Sequence, residues 1–194
     1  MKFEIFKLES VTSTNDVAIS LIKKDKKNFG CVSANIQTKG RGTHGKEWIS
    51  EKGNFFGSIF FPLKKNYPSF SEFSIISPII VSEAIKHFCE KCSIKLKFPN
   101  DIFANGKKIC GILQEVIVSG NQNFLITGIG LNIVSNPEIH DKYQATNILS
   151  QTKKIPKIEK IIDLIIASYL KFFTNLDSYN YMDFKKKADL MSLN

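Results

Sequence analysis

Residues 3–8 alternate apolar and polar side chains, which predicts an opening β-strand. Ser13-Thr14-Asn15-Asp16 follows, a run of helix-capping residue types, and Val17, Leu21 and Ile22 then recur at helical spacing, predicting a helix to about Lys26. Cys31 to Ile36 reads as a strand, 37–54 as a long polar, glycine-rich loop, and Phe55 to Phe61 as an aromatic and β-branched strand stopped by Pro62. Ser71 is placed to cap a helix running to about Cys92, with Pro78 kinking it or moving its start. Ile94 to Phe98, Ile102 to Ala104, Lys108 to Val118 and Asn123 to Val134 predict further strands, with Asn105-Gly106 and Ser119-Gly120-Asn121 as hairpin turns between them. Residues 157–176 and about 178–191 carry helical patterns. Consecutive strands with short turns imply a largely antiparallel sheet packed with helices, an α+β fold.

Composition narrows the possibilities. A chain of 194 residues buries about 70% of its unfolded surface and needs no staples to fold. Its 43% hydrophobic content excludes wholesale disorder. No apolar run approaches the ~20 residues of a membrane span, and the start, Met1-Lys-Phe-Glu-Ile-Phe-Lys, lacks the layout of a signal peptide. The expectation is a soluble cytoplasmic domain with no membrane partner. Four cysteines then imply no disulfides. Cys89-Glu-Lys-Cys92 has metal-type spacing, but no second cysteine pair follows and no histidine pair stands at finger spacing, so no metal site is expected. The net charge of +9 could suggest nucleic acid, yet Arg41 is the one arginine among 27 basic residues. A reader of base edges and phosphates needs arginine, so no DNA partner is expected.

That arginine sits in the most glycine-dense stretch. Gly40-Arg-Gly42-Thr-His-Gly45 fits the dinucleotide fingerprint G-x-G-x-x-G, and Gly40 to Lys46 fits a phosphate-binding P-loop except at its last place, where Glu47 stands. Both motifs require a helix to follow, because its N-terminus binds the phosphate. Residues 47–54 make a poor helix and run directly into a strand, so both readings fail. Glycine also lets backbone N–H groups approach an anion closely, against which stands the plain alternative of a flexible surface loop.

Three other segments add to this loop. Lys97-Phe98-Pro99-Asn100-Asp101 ends a strand, Lys108-Ile109-Cys110-Gly111-Ile112-Leu113-Gln114-Glu115 is a strand with an interior glycine, and Gly128-Ile129-Gly130-Leu131-Asn132 is another. With Ser13-Thr14-Asn15 and the Gly40 to Trp48 loop, these resemble, in order, the Ser-Thr-Asn, G-R-G-x-x-G-x-x-W, K-W-P-N-D, K-x-x-G-I-L-x-E and G-x-G-x-N motifs of the catalytic domain of biotin–protein ligases. Phe98 replaces the usual tryptophan, and Thr43 and His44 stand where many members carry a basic residue.

The resemblance implies the class II aminoacyl-tRNA synthetase/biotin ligase-like α+β fold, a mixed, largely antiparallel sheet packed with helices. It implies a catalytic domain over residues 1–180 and a helical end over 181–194, with the family's usual C-terminal β-barrel absent and no DNA-binding domain in front. The implied reaction activates biotin with ATP and Mg2+ to biotinyl-5′-AMP. Biotin then passes to a lysine of the biotin carboxyl carrier domain of a carboxylase. By the same resemblance Lys97 and Arg41 are the catalytic residues, Lys97 lying between the carboxylate and the α-phosphate. Ser13, Thr14, Asn15 and Gln37 bind the ureido ring, and Gly40, Arg41, Gly42, Thr43, Lys97, Gly111 and Ile112 complete the biotin site. Arg41, Trp48, Asn100, Lys108 and Asn132 serve ATP, and the glycine-rich loop orders over the ligand. For Trp48 the alternative is a core aromatic, and for Ser13-Thr14-Asn15 simple helix capping. Family members often dimerise through sheet edges, which leaves a homodimer open. The competing functions are a lipoate–protein ligase or octanoyltransferase of the same fold and a non-catalytic basic binding protein.

Overall fold

A computed structural model describes residues 1–137 and 143–193. The chain divides into two compact units, Met1–Phe70 with Ile112–Leu131, and Ser71–Gly111 with Asn132–Asn194. Seven strands pair in the order β1-β2-β3-β7-β6-β5-β4, where β1 is Glu4–Val11, β2 Gly30–Gln37, β3 Phe55–Pro62, β4 Ile94–Lys97, β5 Asp101–Ala104, β6 Lys107–Ser119 and β7 Gln122–Leu131. The chain passes from one unit into the other along β6, between Gly111 and Ile112.

In the first unit, helix α1 (Thr14–Lys23) joins β1 to β2, and those two strands run parallel. A strand–helix–strand connection lets the chain return in the same direction, and this parallel pair makes the sheet mixed, as expected. The remaining pairs with resolved register, β2–β3, β3–β7, β4–β5 and β5–β6, are antiparallel. Helix α1 lays Ala18 and Ile22 against Val32, Phe60, Phe124 and Ile126 of the sheet, with Phe6, Val17 and Leu21 at the margin. That apolar stripe is what the spacing of Val17, Leu21 and Ile22 encodes. All eight residues of β3 are buried, so Pro62 is accommodated as the last strand residue instead of stopping the strand before it. Proline can occupy a strand end because no ladder N–H is required there.

The second unit is built on α2 (Phe70–Phe88), the β4–β5 hairpin, the first part of β6, α3 (Ile148–Thr152), α4 (Ile158–Thr174) and α5 (Tyr181–Met191). Helix α2 carries Pro78 in its interior, among the buried residues Ile76, Ser77, Ile79 and Ile80. It begins at Phe70, one residue before the expected Ser71 cap, and ends at Phe88, so Cys89 and Cys92 fall beyond it. Phe73 of α2 meets Phe172 of α4 edge-on with ring centres 5.8 Å apart, and Phe172 meets Phe184 of α5 at 5.7 Å. The chain end is tied down where Leu193 N–H donates to the Leu96 carbonyl at 2.9 Å. The Asn105-Gly106 turn forms as expected, with φ of 50° and 77°.

All four cysteines are buried and unpaired. Burial pushes the Cys31 thiol up to about 12, so it stays protonated and inert near neutral pH. Among the described residues, no helix is long and apolar enough to cross a membrane.

Phe60 is fully buried under α1. Phe60→Ala is expected to lower stability by about 3–5 kcal/mol, the usual cost of emptying an aromatic core position. Urea denaturation followed by circular dichroism checks this, and a loss below about 1 kcal/mol would show that α1 does not depend on this core.

Candidate functional site

The first polar cluster belongs to the first unit and starts where β1 gives way to α1. Ser13 stands at the N-cap with an extended backbone, yet its side chain makes no capping bond, so the capping alternative does not describe it. Thr14 turns toward Gln37 at the end of β2. Its backbone N–H and its hydroxyl both donate to Gln37 Oε1, at 2.9 and 3.1 Å. Gln37 Nε2 donates in turn to Ser50 Oγ at 3.1 Å. Ser58 of β3, fully buried, places its Oγ 2.8 Å from Thr14 Oγ1 and 2.5 Å from Asn15 Oδ1. One hydroxyl proton serves only one of these acceptors at a time. Asn15 Nδ2 donates to Glu115 Oε2 of β6 at 2.6 Å. Thr14, Asn15 and Gln37 are thus brought together. Ser58 and Ser50 join them without having been singled out, and so does Glu115, the last position of the K-x-x-G-I-L-x-E motif, to which no role was given.

Two glycines of β7 make this arrangement possible. A β-carbon on Gly128 would lie 2.5 Å from Asn15 Oδ1, and one on Gly130 would fall inside the Trp48 indole. The G-x-G spacing is therefore a strand face left bare for one amide and one indole. Trp48 is half-buried against that strand, a packing role that agrees with the core-aromatic alternative.

The glycine-rich segment folds into a small hairpin. Arg41 bridges Glu47, Gly42 N–H donates to the Lys46 carbonyl at 2.7 Å, Lys46 N–H to the Thr43 carbonyl at 3.2 Å, and Trp48 N–H to the Gly40 carbonyl at 2.9 Å. His44 and Gly45 take positive φ values, 57° and 74°, at its tip, where Thr43 also lies. Gly42 and Lys46 N–H thus bond within the loop instead of standing open to an anion. Gly40 is buried, and a β-carbon there would meet the Trp48 carbonyl. Arg41 directs Nη1 to Asp16 Oδ1 at 2.5 Å and Nη2 to Glu115 Oε2 at 2.8 Å. The Asp16 bond, foremost, raises the guanidinium above its ordinary range, with Glu115 adding to it. Ile112, buried, opens the β6 segment of this unit.

The second cluster lies in the second unit. Lys97 is the last residue of β4, the Phe98–Pro99 peptide is cis, and Asn100 leads into Asp101, which pairs with Lys97 across the hairpin. Lys97 Nζ lies 4.1 Å above the ring centre of Tyr143, whose ring meets Phe103 edge-on at 5.4 Å. Asn100 Nδ2 donates to Asp101 Oδ1 at 3.2 Å, and Lys108 Nζ pairs with the same oxygen at 2.8 Å. Gly111 sits opposite Asp101 in the β5–β6 ladder. Asn132 is buried and structural in its bonding: its N–H donates to Ile109, its Nδ2 to the Thr146 carbonyl at 3.1 Å, and its carbonyl accepts from Ile148. Asn100 and Lys108 therefore share a carboxylate, while Asn132 ties the chain just after β7 to the segment before α3. Tyr143 carried no sequence signal.

The described residues form a seven-stranded, mostly antiparallel sheet with five helices, holding uncharged polar side chains at the start of α1 and a lysine at the end of β4, which is the class II synthetase-like α+β fold. The model of the biotin/lipoate A/B protein ligase family matches residues 7–132, and the chain belongs to that family. It is 26% identical to a biotin–[acetyl-CoA-carboxylase] ligase of Paracoccus denitrificans over 77% of this chain and 65% of the relative. It is 29% identical to biotin–protein ligase 2 of Arabidopsis thaliana over 93% of this chain and 55% of the relative. The chain thus spans somewhat over half the length of these curated relatives. Among solved structures, biotin protein ligase from Leishmania major in complex with biotinyl-5-AMP superposes with a TM-score of 0.85 at 27% identity, covering 100% of this chain and 83% of that one. The Aquifex aeolicus enzyme in complex with biotin and ATP gives 0.81 at 27% identity, over 98% and 78%.

Gly130→Ala is expected to push Trp48 off β7, shifting the emission of this one tryptophan to the red and lowering stability by about 1–3 kcal/mol, the usual cost of overpacking. Fluorescence and denaturant titration check it. Unchanged emission would mean that Trp48 is not seated on the strand.

Proposed function

We propose that the chain activates biotin with ATP and transfers it to a lysine of a carrier domain of a biotin-dependent carboxylase. The observation that carries this reading is the uncharged polar cluster of Thr14, Asn15, Gln37 and Ser58, on a chain that superposes on a ligase in complex with biotinyl-5-AMP. A ureido ring is neutral and offers two N–H donors and one carbonyl acceptor. Hydroxyls and amides match it without the desolvation cost of a charge.

In the first step a carboxylate oxygen of biotin attacks the α-phosphorus of MgATP, the bond to the bridging oxygen breaks, and pyrophosphate leaves. Two anions must meet, and Lys97 supplies the positive charge that offsets their repulsion. Held above the Tyr143 ring, its ammonium keeps a defined position without a carboxylate to neutralise it in that contact. In the second step the neutral amine of the acceptor lysine attacks the acyl carbon of biotinyl-5′-AMP. AMP departs and the nitrogen loses a proton, leaving an amide. Asn100 and Lys108, joined through Asp101, and Trp48 are assigned to the nucleotide. Asn132 supports that region through the backbone bonds it makes. Gly111 and Ile112 are assigned to biotin. Magnesium enters as part of the MgATP substrate.

ATP–pyrophosphate exchange on the purified chain, with biotin, lipoate or no acid, tests the reading. Exchange with biotin alone is expected. Exchange with lipoate alone would move the chain to the lipoate branch of the family, and silence with both would overturn the adenylation step. Lys97→Ala is expected to lower the biotin-dependent rate at least about a hundredfold, the usual effect of removing one group that stabilises developing charge. A rate within about threefold of the parent would remove Lys97 from the mechanism.

A further inference from the structure

We infer that Arg41 anchors the glycine-rich hairpin through Asp16 and Glu115, instead of binding a substrate anion directly, and that those two carboxylates are positioning residues. The activity arm of this inference rests on the ligase reading above; the structural arm stands apart from it.

Charge is the first argument. Both terminal nitrogens of Arg41 are directed at protein carboxylates, 2.5 Å from Asp16 and 2.8 Å from Glu115. One positive and two negative side chains leave the group with a formal charge of −1. A carboxylate or phosphate approaching this guanidinium meets a site already over-compensated, and it would have to displace one of two short, charge-assisted bonds.

Connectivity is the second. Asp16 lies in the first turn of α1 and Glu115 on β6, so two separate elements grip one side chain. The backbone of Arg41 opens the hairpin by bridging Glu47, and its neighbours close it through Gly42 to Lys46 and Trp48 to Gly40. Fixing the Arg41 side chain therefore fixes one arm of the hairpin. The same Glu115 oxygen that accepts from Arg41 accepts from Asn15 Nδ2 at 2.6 Å. One atom thus registers the hairpin against the amide at the start of α1. The substrate's anionic groups are left to other donors, Lys97 among them.

Asp16, Arg41 and Glu115 are partly exposed, at 41, 39 and 32% of their side-chain surface, so amide substitutions leave no buried charge and the fold persists. The double variant Asp16→Asn/Glu115→Gln removes both charges while the amide oxygen introduced at position 115 still accepts from Asn15. It is compared with Arg41→Ala and with the triple variant, by amide hydrogen exchange of Gly42, Lys46 and Trp48 without ligand and by biotin-dependent ATP–pyrophosphate exchange. The double variant and Arg41→Ala are both expected to speed exchange of the hairpin amides at least about tenfold. Turnover should fall in both, and the triple variant should be no worse than Arg41→Ala, because partners in one unit are not additive. Two results overturn the inference. One is a double variant with turnover at or above the parent beside an inactive Arg41→Ala, the pattern of an anion ligand released from its competitors. The other is hairpin exchange that no substitution changes. A parent without biotin-dependent activity sinks the ligase reading alone, and the hairpin amides still decide the anchor.

Discussion

The first unit depends on a strand that is bare at two places. Gly128 and Gly130 of β7 are two residues apart, so their missing side chains open one face of the strand at consecutive positions. Asn15 occupies one opening and Trp48 the other. Asn15 lies in the first turn of α1 and Trp48 ends the hairpin, so the same face receives the start of a helix and the close of a loop. Ser58, on the neighbouring β3, pairs with Gly128 in the ladder and reaches Asn15 Oδ1 from the side. A polar amide lying against a buried strand needs partners for every atom. Ser58, Glu115 and the Leu113 carbonyl supply them.

Fold class was legible because most elements announce themselves locally. The alternation of β1, the stripe of α1, the Asn105-Gly106 turn and the long hairpin of β6 and β7 each follow from neighbours in the chain. The failures have local causes as well. The five-residue α3 is too short to show a period; it is started by Asn147, whose side chain accepts from Ser150 N–H at 2.7 Å, and capping of that kind leaves only one residue as a clue. The parallel β1–β2 pair, the mixed part of the expected sheet, follows from its strand–helix–strand order. Pro78 shows tertiary packing prevailing over propensity, since it is buried within its helix.

The site was legible as motifs and illegible as a network. Thr14 and Asn15 stand in one motif, and the fold brings Gln37, which stands in none, to Thr14. What the motifs do not record is the direction of each bond. Glu115 is 100 residues from Asn15 and 74 from Arg41, and the motif it closes does not say that it accepts from both. Arg41, isolated among glycines, reads as a fork open to a ligand until its two carboxylates are in place.

That difference separates the two cations that the sequence puts forward together. Arg41 meets two formal negative charges at partly exposed positions, where each such pair is worth only about 0.2–1 kcal/mol. A fastening of that size holds a hairpin in register and still releases it on thermal timescales. Lys97 meets an aromatic face, which orients an ammonium through its quadrupole and cancels none of its formal charge. Two basic residues of equal charge thus meet unlike surroundings: Arg41 is gripped by two carboxylates of its own protein, and Lys97 lies against a ring that leaves its formal charge whole.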